Sequence, residues 1–178
     1  MIKGEVSVQA KLGVFDIEVK DPKFYAPKVG SVKKNGNKIA KIQYDDSEES
    51  RYFAKAEYMD KDGPEIYHII KLDKNFFIEL ELNQDVAELT LLHEIGHLEK
   101  GHLSYDNHSF NEEIEADQFA LSVLGKKEFI KRYKMMNKLL RKGKFTIDEE
   151  VTKKYIRHNK NKIRNMFCII YNICRKKK

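Results

Sequence analysis

Tryptophan is absent from this 178-residue chain, cysteine occurs twice and proline three times. Two cysteines, Cys168 and Cys174, can build neither a disulfide framework nor a four-thiolate zinc site. They stand in an apolar run with Phe167, Ile169 and Ile170 and are expected to be buried structural thiols. Long apolar stretches are missing too. The longest uncharged apolar-rich run is Asn165–Cys174, ten residues, against the ~20 that a membrane-spanning helix needs. No membrane insertion is expected. No glycine pattern fits GxGxxG or GxxxxGK[ST], which removes the common phosphate loops. Lys3, Glu5 and Lys11 interrupt the N-terminal residues where a secretory signal would need an apolar segment, so the expected compartment is the cytoplasm.

What is abundant is charge, 35% of all residues, with a net +6. The balance is uneven. Residues 1–125 carry 15 Lys and Arg against 24 Asp and Glu, or −9, while residues 126–178 carry 19 against 4, or +15. A basic segment of that density suits weak contact with nucleic acid. It equally suits helices lying on the acidic body.

Hydrophobic periodicity divides the chain once. Glu5–Ala10 and Val14–Val19 alternate around Lys11-Leu12-Gly13, and Val32 and Ile39–Tyr44 flank Asn35-Gly36, a strong hairpin turn. Arg51–Met59 and Glu65–Leu72 read as further strands on either side of Asp60–Pro64. Phe76–Leu82 is too short to assign to strand or helix by pattern. From Asn83 onward the period is helical. Asn83 is the expected N-cap and Gly101 the stop; Ser109 with Glu112 opens a second helix, Asn111–Leu124. A third helix covers Lys127–Arg141, and Thr146-Ile147-Asp148-Glu149 opens the last, out to Cys174. Strands first and helices after predict an α+β fold. The expected organisation is a domain over 1–125, β-rich through 82 and helical over 83–125, with a basic helical extension over 126–178 packed on it.

The informative string is His93-Glu94-Ile95-Gly96-His97. Residues four apart share a helix face, so both imidazoles point the same way and can hold one Zn²⁺. Glu94, next to the first histidine, can take a proton from water at the metal instead of ligating. At this composition about 0.02 such strings are expected by chance. A catalytic zinc site needs a third protein ligand. Glu113 meets that need, in the first turn of the next helix, and Asp117 four residues on shares its face. Glu113 as ligand leaves Asp117 to accept the outer N–H of a ligating histidine. Glu112 is committed to its cap and Glu115 points to another face. His102 falls one residue short of a third metzincin histidine, where Leu103 stands, and reads as a cap or rim residue. Leu89, Leu92, Ile95 and Leu98 give the first helix an apolar stripe. Tyr67, His68, Tyr105 and Tyr133 are candidate oxyanion donors, and Glu65–Leu72 is the expected sheet edge for a substrate strand.

His93–His97 followed by Glu113-x-Glu115-Ala116-Asp117-x-Phe119-Ala120 resembles the gluzincin metallopeptidases, and among them most closely the ImmA/IrrE-type family, over roughly residues 65–125. The chain has Leu124-Gly125-Lys126 where that family continues Leu-Met-Pro. The resemblance implies a zincin-like fold and one Zn²⁺ per chain on His93, His97 and Glu113. It also implies Glu94 as general base, Asp117 as orienting carboxylate and a soluble peptidase acting on a protein such as a repressor. The competing expectation is a non-catalytic or nucleic-acid-associated protein working through residues 126–178.

Overall fold

The computed structural model describes residues 8–46, 53–57, 68–102, 109–142, 145 and 157. Within them the class is α+β, a six-stranded sheet and five helices. The strands are β1 Val8–Leu12, β2 Phe15–Val19, β3 Lys28–Lys34, β4 Asn37–Tyr44, β5 Ala54–Glu57 and β6 His68–Leu72. The helices are the single turn α1 Pro22–Tyr25, then α2 Lys74–Leu82, α3 Gln84–Lys100, α4 Phe110–Leu124 and α5 Lys126–Arg141. The segment 76–82 thus belongs to a helix, started by Asp73, whose carboxylate accepts the Asn75 and Phe76 amides.

β1 to β4 form an antiparallel meander. Asn35 and Gly36 hold φ of +51° and +82° in the β3–β4 turn, the left-handed pair that matches strand twist. The first hairpin turns on Gly13-Val14, with Leu12 opposite Phe15. That is one residue later than the alternation suggests, because Gly13 supplies the positive φ. The sheet then breaks sequence order, running β1-β2-β3-β4-β6-β5. β6 lies parallel to β4 and antiparallel to β5. The expected edge over 65–72 is therefore corrected: β6 is interior, with Ile70 and Leu72 fully buried, and the short β5 is the edge.

One sheet face carries Phe15, Ile17, Val32, Ile42 and Ile70 against Phe76, Leu91, Ile95 and Leu98 of the helices. A second core joins Leu89 and Leu92 of α3 to Ile114 and Ala120 of α4 and Phe129 and Tyr133 of α5. The stripe read along α3 is therefore two faces, Ile95 and Leu98 to the sheet, Leu89 and Leu92 to the helices. An ordinary amphipathic helix has one apolar stripe; α3 is buried on nearly all sides. Arg132 ties α5 to α3 through Glu88, 2.8 Å, and the Asp85 carbonyl, 2.9 Å. The expected cysteine-bearing helix lies outside the described residues.

The closest approach in the helical layer is at Gly96. A Cβ there would stand 2.7 Å from the Ala116 carbonyl oxygen and 2.9 Å from its Cα. Backbone, unlike a side-chain tip, cannot rotate aside. Gly96→Ala should therefore cost ~1–3 kcal/mol by overpacking, read as a lower urea midpoint with unchanged slope. Equal stability would show that the two helices part without cost.

A carboxyl at the α2–α3 contact provides a second test. Glu79 is 1% exposed and accepts a 2.7 Å hydrogen bond from the Thr90 hydroxyl. Burial pushes this carboxyl up to about 8, against the opposing pull of Thr90. Burial likewise raises Asp73 to about 6. Both folded values lie above the unfolded ones, so the folded chain binds more protons across that window and loses stability as pH rises from about 4 to about 8. Glu79→Gln removes most of this loss. Its unfolding temperature should match the parent near pH 5 and exceed it by at least ~4 °C at pH 9. A difference independent of pH would refute this.

Candidate metal centre

α3 starts on Asn83, whose side chain accepts the Val86 amide at 3.1 Å, and ends at Gly101 with φ +73°. α4 starts with the reciprocal capping box: Glu112 Oε2 accepts the Ser109 amide at 2.6 Å, and Ser109 Oγ accepts the Glu112 amide at 3.3 Å. The α4 cap commits Glu112, the neighbour of Glu113, to the Ser109 amide. The two helices then meet antiparallel at Gly96 and Ala116.

The meeting point brings His93, His97 and Glu113 together, their ligand atoms all within 4.8 Å of one another. His93 Nε2 lies 3.1 Å from His97 Nε2 and 3.4 Å from Glu113 Oε2; His97 Nε2 lies 3.5 Å from Glu113 Oε1. Ligands at ~2.0–2.1 Å on a tetrahedral ion stand ~3.3–3.4 Å apart. The His93–His97 separation, and the approach of each ring nitrogen to one or the other Glu113 oxygen, lie near that edge, so this donor set could hold a small divalent cation. Burial holds the His97 imidazole below its ordinary range, with Glu113 pulling the other way. His97 is accordingly neutral at pH 7, the form that ligates.

Asp117 faces the outer nitrogen of the His93 ring. Its Oδ1 is 2.7 Å from His93 Nδ1, on the side of the ring away from the cluster. Asp117 is fully buried, and Tyr133 of α5 donates its hydroxyl to the same Oδ1 at 2.5 Å. Burial, and after it the Asp117 charge, raise Tyr133 well above the usual phenol range, so it remains a donor. Tyr133 is thereby engaged behind the histidine, which corrects its candidacy as an oxyanion donor. His68 lies on β6 opposite Ala40, with its imidazole lowered by burial. Tyr67 and Tyr105 lie outside the described residues.

Glu94 does not join the three-residue cluster. It is 7% exposed, and its Oε2 accepts the Ala56 amide at 2.7 Å. Ala56 belongs to the edge strand β5, so the sheet edge fixes this carboxylate directly. Two contacts escaped the sequence analysis. His102 is buried, with its Nδ1 3.3 Å from His97 Nδ1 and its Nε2 3.0 Å from Glu115 Oε2. Of the two expected roles His102 takes the cap and not the rim, and Glu115, off the cluster, is its partner. The cap held the clue: the residue after a left-handed glycine folds back on the last helical turn.

Compared with protein-family models, with curated proteins and with solved structures, the chain matches none. Among the described residues no helix is long and apolar enough to cross a membrane.

The α5 contact is separately testable. Tyr133→Phe takes one hydrogen-bond donor from a fully buried carboxylate and should cost ~1–3 kcal/mol. A double-mutant cycle with Asp117→Asn should give a coupling energy above ~0.5 kcal/mol. Additive losses would show that the 2.5 Å contact contributes nothing.

Proposed function

We propose that this protein is a metal-dependent peptidase in which His93, His97 and Glu113 hold one divalent cation, Zn²⁺ first among them. The observation that carries the reading is the convergence of two imidazole nitrogens and one carboxylate from two helices, their ligand atoms within 4.8 Å of one another. The motif resemblance to gluzincins of the ImmA/IrrE type, carried by the same residues, points the same way. A cation there would polarise a scissile carbonyl and acidify a water.

The chain's own groups supply the remainder. Glu94 receives the proton of the attacking water and returns it to the leaving amine. The Ala56 amide holds Glu94 in one rotamer while it does so. Asp117, kept in place by Tyr133, orients His93. β5 is the sheet edge beside Glu94 and the strand along which an extended peptide would pair. The natural substrate in this reading is a regulatory protein such as a repressor, and the setting is the cytoplasm, in keeping with a chain of only two cysteines.

The basic helix α5 gives a nucleic-acid reading less support. Arg132 and Lys131 are engaged by Glu88, Asp85 and Glu128. Lys127, Lys134 and Lys138 line an outward groove with Ile130 and Met135, and weak salt-sensitive contact with a phosphate backbone would use that row.

Elemental analysis of the purified chain should find about one zinc per molecule. The His93→Ala/His97→Ala pair should find almost none. Glu94→Gln should keep metal and fold while hydrolysis of a casein or peptide-library substrate falls by at least ~10²-fold. Full zinc occupancy in the double variant would sink the ligand assignment, and undiminished turnover by Glu94→Gln would sink the mechanism.

A further inference from the structure

α4 carries carboxylates at three alternate positions, and each reaches a different target: Glu113 the cluster, Asp117 the His93 ring, Glu115 the His102 ring. The first two belong to the centre already described. The third ends on the other histidine of the pair, through an intermediary.

The proton positions in this chain of contacts follow from Glu115 inward. A carboxylate only accepts, so His102 Nε2, 3.0 Å from Glu115 Oε2, carries a proton. A neutral imidazole has one proton, so His102 Nδ1 is then an acceptor. Facing it at 3.3 Å is His97 Nδ1, the donor of this pair whenever His102 is neutral. With its proton on Nδ1, His97 presents a lone pair on Nε2, the atom 3.1 Å from His93 Nε2 and 3.5 Å from Glu113 Oε1. The required tautomer is reached without reference to any ion.

The backbone that ends α3 builds this contact. Gly101 at φ +73° donates its amide to the Leu98 carbonyl at 3.2 Å, and His102 donates its amide to the His97 carbonyl at 2.9 Å. This is the two-bond helix end in which the second residue past the helix folds back over its last turn. It sets the two imidazoles 5.5 Å apart at 67°. His93 instead meets its carboxylate directly, and that carboxylate is fully buried, whereas the Glu115 side chain is 51% exposed.

We propose that His102 and Glu115 are positioning residues for the centre, a relay from α4 through the α3 cap that holds His97 with its proton on Nδ1 and its Nε2 ready to ligate. The inference rests on the metal reading for its consequence, and on hydrogen-bond geometry alone for the tautomer.

Two measurements on the full chain test it. In metal-free protein, long-range ¹H–¹⁵N correlation of the imidazoles should show His97 protonated on Nδ1 and His102 on Nε2. In chelator-competed zinc titration, His102→Leu, which removes the His102 acceptor facing the His97 N–H, should bind ~10–100-fold more weakly than the parent. His102→Gln keeps a carbonyl acceptor and should recover most of that loss, and Glu115→Gln should weaken binding less than His102→Leu. A His97 proton on Nε2, or equal zinc affinity for His102→Leu and the parent, would overturn the relay. If the parent itself takes up no zinc, the metal reading fails while the tautomer measurement still decides the relay. Should His102→Leu not fold, the tautomers in the unaltered chain decide it alone.

Discussion

The contact on which the centre depends is the backbone approach of α3 to α4 at Gly96 and Ala116. No side chain stands between them: the position of a Gly96 Cβ is already within 3 Å of the Ala116 main chain. His93 and His97 lie three residues before and one after that glycine, and Glu113 and Asp117 lie three before and one after that alanine. An antiparallel crossing at this point therefore sets His93 against Asp117 and both histidines against Glu113. Moving the helices apart by the width of a methyl group would lengthen all these contacts together. Everything around the crossing holds it in place: the caps at both helix ends, the sheet beneath α3 and the α5 clamp behind.

The crossing concentrates acid groups in an apolar interior, and burial of a charge without compensation is costly. The structure answers differently at each. Asp117 takes the Tyr133 hydroxyl and the His93 ring. Glu94 takes an amide from the sheet edge. Glu88 takes the Arg132 guanidinium at 2.8 Å. Among the described residues Glu79 has a hydroxyl donor, and burial drives it toward the neutral acid. The first two arrangements hold a carboxylate at a set place beside the cluster, the third fastens a helix, and the fourth makes part of the core sensitive to alkali. The same physical cost yields a site, a clamp and a titratable core group, according to the donor within reach.

Local signals in the sequence carried the elements and much of the candidate centre. Alternation and Asn35-Gly36 marked the hairpin; Asn83, Ser109 and Gly101 marked helix ends. The spacings 93/97 and 113/117 placed two pairs of side chains on helix faces, since four residues make about one turn. Bringing the two pairs together needed only a short return between helices. Less legible was α3 itself. Its apolar residues read as one stripe because a helix in a two-layer fold has one buried side, whereas this helix has two.

What the chain determined by itself is whatever acts within a few residues: turns, caps, faces and the four-residue pairings. What only the tertiary structure decided is which distant groups meet. Strand β6 enters the sheet between β4 and β5, so the edge that reaches Glu94 is Ala54–Glu57 and not the more apolar strand after it. Tyr133 reads as one of several candidate oxyanion donors until α5 lies on α3 and α4 and its hydroxyl finds Asp117. His102 reads as a cap or rim residue until the glycine before it turns the ring under His97. The reason is common to all three. Periodicity reports which side of an element is buried, but a hydrogen bond needs a partner at one distance in one direction, and that is set by the packing of elements far apart in the chain.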